Sequence, residues 1–179
     1  EMPLEKYTNL NRTDSFCYWL ESRTYELGSV WGGTSYKFGI YRYTNKPKAG
    51  DSRIVSDDAY AWYKRYGKDS ASEAYEIVRN AIVDIAKAAE SGDFDLIDGN
   101  IILGESIKWK IAFLYSGLKL LPIYKKEMLN SVASGIGMED AQSHSVPEIQ
   151  RFLMDSKPED KDLFDYYDSM LTYLNQSKP

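Results

Sequence analysis

The 179-residue sequence predicts a mainly helical α+β domain, with about six helices and one small antiparallel sheet or hairpin. Three observations carry that reading. After residue 70 apolar residues recur at helical spacing, near residue 40 a short run alternates with a period of two, and no internal repeat or long linker divides the chain. Residues 1–179 therefore read as one domain, large enough to bury a real core. Apolar residues at 43% and charged residues at 27% are ordinary globular usage, which excludes disorder and fibrous architectures.

The first helix is expected over Ser15 to Leu27, with Thr13 or Asp14 as N-cap and Gly28 as its stop; Phe16, Trp19, Leu20, Arg23 and Leu27 share a stripe. Gly28-Ser-Val-Trp-Gly-Gly33 is too rich in glycine for a helix. A strand is expected over Ser35 to Tyr43, where Tyr36, Phe38 and Ile40 alternate with Lys37, Gly39 and Tyr41, and a partner around Ser52 to Val55 follows a turn at Asn45 to Gly50. Asp57 to Tyr66 reads as a short helix capped by Asp57 and closed by Gly67. Ser70-Ala-Ser-Glu73 is a capping box that opens a long helix to Ser91, with Ala74, Val78, Ala81, Ile82, Ile85, Ala88 and Ala89 on one face. Asp93 to Gly99 reads as a polar turn, Gly104 to Tyr115 as a helix, and Pro122 to Ser134 as another. Ser145-Val-Pro-Glu148 and Ser156-Lys-Pro-Glu159 each predict a helix start, with Pro in the first turn.

Several chemistries are excluded by residue inventory. One cysteine and one histidine cannot form a disulfide framework or a Cys/His zinc site. The glycines at 28–33 lack the lysine of a phosphate loop and follow a helix instead of a strand. His144, beside a helix cap, has a capping or surface role, and Cys17 reads as a small buried apolar residue. Asp93-Phe-Asp-Leu-Ile-Asp-Gly99 misses the spacing and the distal Glu of a calcium loop. No cofactor is expected. No run of about 18 apolar residues and no secretory leader pattern is present, so a cytoplasmic protein with no membrane partner is expected.

The net charge of −5 argues against nonspecific coating of nucleic acid, but the charge is uneven. Between residues 36 and 68, eight basic side chains face only Asp51, Asp57 and Asp58, and 8 of the chain's 25 aromatic residues lie in the same window. Cations can hold phosphates while aromatic faces stack on bases. Lys37, Arg42, Lys46, Lys48 and Arg53 are the expected phosphate contacts, with Trp31, Tyr41 and Tyr43 as stacking or base-contacting residues. Lys64 and Arg65, with Lys108 and Lys110, extend the patch. Such a hairpin would approach a duplex or hold an extruded base between aromatic faces. The same residue types also anchor protein interfaces.

Three segments add a family resemblance: Ser15-Phe-Cys-Tyr-Trp-Leu-Glu21, Leu27-Gly-Ser-Val-Trp-Gly-Gly-Thr-Ser-Tyr-Lys-Phe-Gly-Ile-Tyr41 and Lys108-Trp-Lys-Ile-Ala-Phe-Leu-Tyr115. With Tyr60-Ala-Trp-Tyr-Lys64 and Pro147-Glu-Ile-Gln-Arg-Phe-Leu153, they resemble the N-terminal region of McrB-like AAA+ proteins of bacterial restriction systems. The resemblance implies a non-catalytic domain that recognises DNA, modified or not, for a longer protein whose motor works with an McrC-type nuclease subunit. This chain departs from the whole family pattern in having no Walker motif, and no binding residue transfers by motif. The alternative is an adaptor domain that docks a nuclease subunit or another copy, with the acidic last helix as its interface.

Overall fold

Ser70 begins the best-defined part of the fold. Its hydroxyl accepts from the Glu73 backbone N–H at 3.3 Å and donates to the Glu73 carboxylate at 2.8 Å, so the orphan donors of a helix start are met and the chain is helical over Ala71–Ser91. Gly92 ends the helix in the left-handed region. The expected face is buried at every position except Ile82, which is half-buried. A computed structural model describes residues 2–45 and 51–176 of the chain. Their α-helices are α1 (Leu4–Tyr7), α2 (Phe16–Tyr18), α3 (Ala71–Ser91), α4 (Phe94–Asp98), α5 (Glu105–Tyr115), α6 (Lys126–Gly135), α7 (Val146–Asp155) and α8 (Leu163–Gln176). One antiparallel sheet holds β1 (Ile40–Arg42), β2 (Ile54–Ser56) and β3 (Tyr60–Tyr63) in the order β1-β3-β2. The fold is α+β and mainly helical.

Helix α5 lies at the centre, against α3, with Ile107, Lys108, Trp109, Lys110, Ile111, Ala112 and Phe113 all buried. A helix buried on every side has room for a lysine only where its ammonium finds acceptors. Both lysines find them. Lys108 is 1% exposed, reaches the carbonyls of Asp98 and Asn100 at 2.7 and 3.2 Å, and pairs with Glu105 at 2.8 Å. Lys110 is fully buried and reaches the carbonyls of Thr24, Leu27 and Gly28 at 2.6, 2.9 and 2.5 Å. The expected surface role of these two residues is therefore wrong: they staple loops to the core.

That capture explains why residues 16–27 do not form the expected regular helix. After α2 the chain widens into a single π-helical stretch, Trp19–Arg23, and tightens into a 3-10 turn, Tyr25–Leu27. The Thr24 hydroxyl donates back to Leu20, and the Thr24 carbonyl accepts from Lys110 as well as from the Leu27 N–H of the 3-10 turn. Leu20 is buried and Trp19 exposed, so the expected stripe splits.

The expected strand over Ser35 to Tyr43 shrinks to β1, because Ser35–Phe38 is a 3-10 turn. Gly39 makes the corner at φ 82°, where a Cβ would lie 2.6 Å from the Tyr66 hydroxyl. Asp57 to Tyr66 is also a correction. Asp57 Oδ1 accepts from the N–H of Ala59 and Tyr60 in a side-chain turn, and Tyr60-Ala-Trp-Tyr63 becomes the central strand instead of a helix. β2 pairs with this strand and not with β1. The last helices differ in detail. The Ser145–Glu148 capping box opens α7, but Ser156 closes α7, and Asp162 caps α8 by accepting from Phe164 and Asp165 N–H. Asp93 caps the short helix α4, where a turn was expected, and α6 begins after a buried connection through Pro122, Ile123 and Tyr124.

Candidate nucleic-acid interface

The glycine-rich segment 28–33 is shaped from both ends by ammonium groups. Lys110 and the Tyr124 hydroxyl both bond the Leu27 carbonyl from below. From the other side Lys37 Nζ donates to Glu21 Oε1 at 2.5 Å and to the carbonyls of Val30 and Gly32 at 2.6 and 2.8 Å. Between those two carbonyls stands Trp31, which is 72% exposed. Trp31 is therefore held out into solvent by a turn whose backbone is pinned on either side of it.

The turn borders a cleft of about 890 Å³ that runs to the free edge of β1. Trp31, Lys37, Tyr41, Arg42 and Tyr43 all line it, so five of the twelve residues that the sequence singles out meet in one depression. Its volume lies in the range of small-ligand sites. Its charged lining among the described residues is Glu21, Lys37 and Arg42. Since Lys37 and Glu21 neutralise each other, Arg42 leaves the cleft positive. The Arg42 guanidinium lies 5.4 Å from the Tyr60 ring centroid and donates to the Tyr60 hydroxyl at 3.3 Å; no carboxylate reaches it among the described residues. A half-buried cation with only a neutral partner is a ready site for an anion.

Three of the expected contacts lie on a neighbouring surface. Tyr41, Tyr36, Tyr63 and Tyr66 form a row with centroid separations of 5.2, 6.1 and 5.8 Å, so Tyr41 joins the cleft to a row of rings that ends at the buried Tyr66. Arg65 lies 4.3 Å from the Tyr63 ring centroid, and Lys64 beside it is exposed. Arg53 is exposed too but held bidentately by Asp51, whose carboxyl is lowered to about 2 by hydrogen bonds from the Arg53 side chain and backbone. Burial pushes the Tyr41 and Tyr66 hydroxyls up, so both remain neutral at physiological pH.

The phosphate role expected of Lys37 meets a geometric obstacle, because all three of its N–H groups already have acceptors. Tyr43 keeps a ring on the cleft while its hydroxyl donates to the Asp57 carbonyl. Lys46 and Lys48 lie outside the described residues. No family model, curated protein or solved structure matches this chain. The chemistry of the cleft therefore rests on its own residues.

Two of those residues escape a reading by sequence. Glu21 reads as one more acid on a helix, and Tyr18 as one more aromatic residue, yet both line the cleft. The signal that would find Glu21 is its distance from Lys37, 16 residues along the chain, which only a folded backbone closes. Cys17 also lines the cleft, but burial raises its thiol far above neutral pH, which suits packing and not attack. His144 sits 3.6 Å from Glu148 at the α7 cap. No described helix is long and apolar enough to cross a membrane.

Proposed function

We propose that this domain binds DNA and does so without chemistry of its own, as the recognition part of an McrB-like restriction ATPase in the cytoplasm. The observation that supports this most is the unpaired Arg42 guanidinium in the same cleft as the exposed Trp31. A phosphate at Arg42 and a base face against Trp31 use both groups at once, and the tyrosine row with Lys64 and Arg65 extends the track along the strand. The cleft is wide enough to accept a base turned out of a duplex. In this reading hydrolysis of nucleotide belongs to the motor of the parent protein, and cutting to a separate McrC-type nuclease subunit.

Titrating modified and unmodified duplexes at several salt concentrations tests the reading. Affinity should fall steeply, by more than about tenfold between 50 and 200 mM salt, as counterions are released. Arg42→Gln should lower affinity and flatten that slope by about one contact. A shallow salt dependence, or an unchanged slope in Arg42→Gln, would rule out phosphate binding at the cleft. The second reading, an adaptor, has its own support in α8, which exposes Phe164 and Tyr173 among Asp165 and Asp168. Reversing those two acids to Lys should break capture of a nuclease subunit, or self-association, if the adaptor reading is correct.

A further inference from the structure

A groove between α3 and α4 shares no residue with the cleft. It encloses about 560 Å³ over a floor of Ile85, Ala88 and Ile97, all of them buried, and its rim carries Asp84, Lys87 and Asp93. Along α3 it runs from Asp84 to Ser91, close to two helical turns or about 10 Å. A single exposed leucine on a protein surface needs no explanation. Here the apolar surface continues past the groove: Leu96 on its wall is 59% exposed, Ile101 just beyond Asn100 is 69% exposed, and Val83 beside Asp84 is exposed too. Exposed aliphatic side chains that border an apolar floor mark a docking site.

The charge around the groove says what fits there. From Ala88 to Ile107 the sequence has five acids, Glu90, Asp93, Asp95, Asp98 and Glu105, and no lysine or arginine. Asp84, Glu90 and Asp95 are exposed and join no ion pair among the described residues. Lys87 is the one cation that lines the groove among the described residues. A partner with apolar anchors and basic flanks answers both features, whereas an acidic partner would be repelled. A groove between two helices takes a third helix, and two turns of length hold two anchors four residues apart. We propose that this groove docks a basic amphipathic helix of a partner protein. Two large aliphatic residues at i and i+4 would lie on Ile85, Ala88 and Ile97, Leu96 supplies the apolar wall, and lysine or arginine flanks reach Asp84 and Asp93. The proposal goes beyond DNA binding and stands without it. No residue of α8 lines the groove, so it is also distinct from the acidic last helix.

The probe is a fluorescein-labelled helical peptide of about 16 residues, made of Ala, Gln and Lys with two Leu four residues apart on one face, titrated at low salt by fluorescence anisotropy. Binding on the order of 100 µM or tighter is expected, and amide shifts in proton–nitrogen correlation spectra should cluster in 84–101. A peptide of the same composition with its two Leu on opposite faces should bind at least about tenfold more weakly, as should one with Glu in place of Lys. Leu96→Gln changes an exposed position and should weaken binding about fivefold at an unchanged urea midpoint. Asp84→Lys should weaken it by a similar factor at low salt, and Asp165→Lys with Asp168→Lys on α8 should leave it unchanged. No binding, equal binding of the two leucine arrangements, full affinity in Leu96→Gln, or shifts centred on α8 would each overturn the proposal.

Discussion

Two regions of this molecule are held together by different means. From residue 70 onward regular helices meet most of the backbone's needs: α3 and α7 carry side-chain caps, their apolar faces meet in the core, and side chains such as Lys108 and Gln150 are called on only at the connections. Between residues 16 and 42 the backbone is irregular, and many of its carbonyls are bonded by side chains from elsewhere. Lys110 takes three, Lys37 two, and the Tyr7 hydroxyl takes that of Phe38 at 2.6 Å. The contrast teaches that the cleft owes its shape to a few donors, most of them planted in other elements. A helix loses a little when one cap is removed. The cleft edge loses its support when one ammonium is removed.

The largest expected effect follows from that asymmetry. Lys110→Met keeps a long apolar stem but removes three hydrogen bonds, leaving the Gly28 carbonyl without its donor while the Thr24 and Leu27 carbonyls keep the Leu27 N–H and the Tyr124 hydroxyl, and should cost on the order of 3 kcal/mol of stability, measured as a shift of the urea midpoint. Amide exchange in 24–33 should rise before exchange in α3 does. Equal protection in both regions would erase the distinction between them. The matching change in the regular half is smaller. Ser145→Ala removes one cap from α7 and should cost about 1 kcal/mol, with no effect on the cleft.

A further effect is a pH dependence of definite sign. Burial lowers Lys110 from its ordinary 10.5 to about 8, so between those values the unfolded chain binds more protons than the folded one. Stability should therefore rise as pH increases from about 8, the contribution being complete above 10.5 and lost again as pH falls through 8. Burial raises the hydroxyls of Tyr7, Tyr66 and Tyr124, which works the other way above pH 10, where the unfolded chain gives up phenolic protons first. Urea midpoints at pH 7, 8.5, 9.5 and 10.5 should thus pass through a maximum, and the rising limb should vanish in Lys110→Met. A rising limb that survives in that variant would assign it to another group.

The same contrast decides what a sequence reveals. Ser70 with Glu73, and Ser145 with Glu148, are local signals, and the helices that follow them are where spacing places them. The sheet was legible in part: Ile40 to Arg42 form a strand as expected but pair with Tyr60 to Trp62 instead of the expected partner at Ser52 to Val55, because Asp57 and Gly67 imitate the two ends of a helix around what is the central strand. Local cap rules cannot see that Trp62 is covered on both sides by strands and bonds the Lys68 carbonyl through its indole N–H. Charge was the least reliable guide. Lys37, Lys108 and Lys110 look like surface cations because lysine is seldom buried, and each is instead spent on carbonyls or a carboxylate brought near by the fold. The aromatic residues fared better as a group, since Trp31, Tyr41 and Tyr43 do share one cleft.

Gly28 ties these regions in one more respect. At φ 85° it packs so closely on the Pro122 carbonyl that a methyl group there would lie 2.3 Å from the oxygen. Any mutation that adds bulk at this position must first displace the connection leading into α6. The cleft edge and the helical body are therefore locked to each other at this point, and a transplanted copy of the cleft would have to bring the Pro122 segment with it.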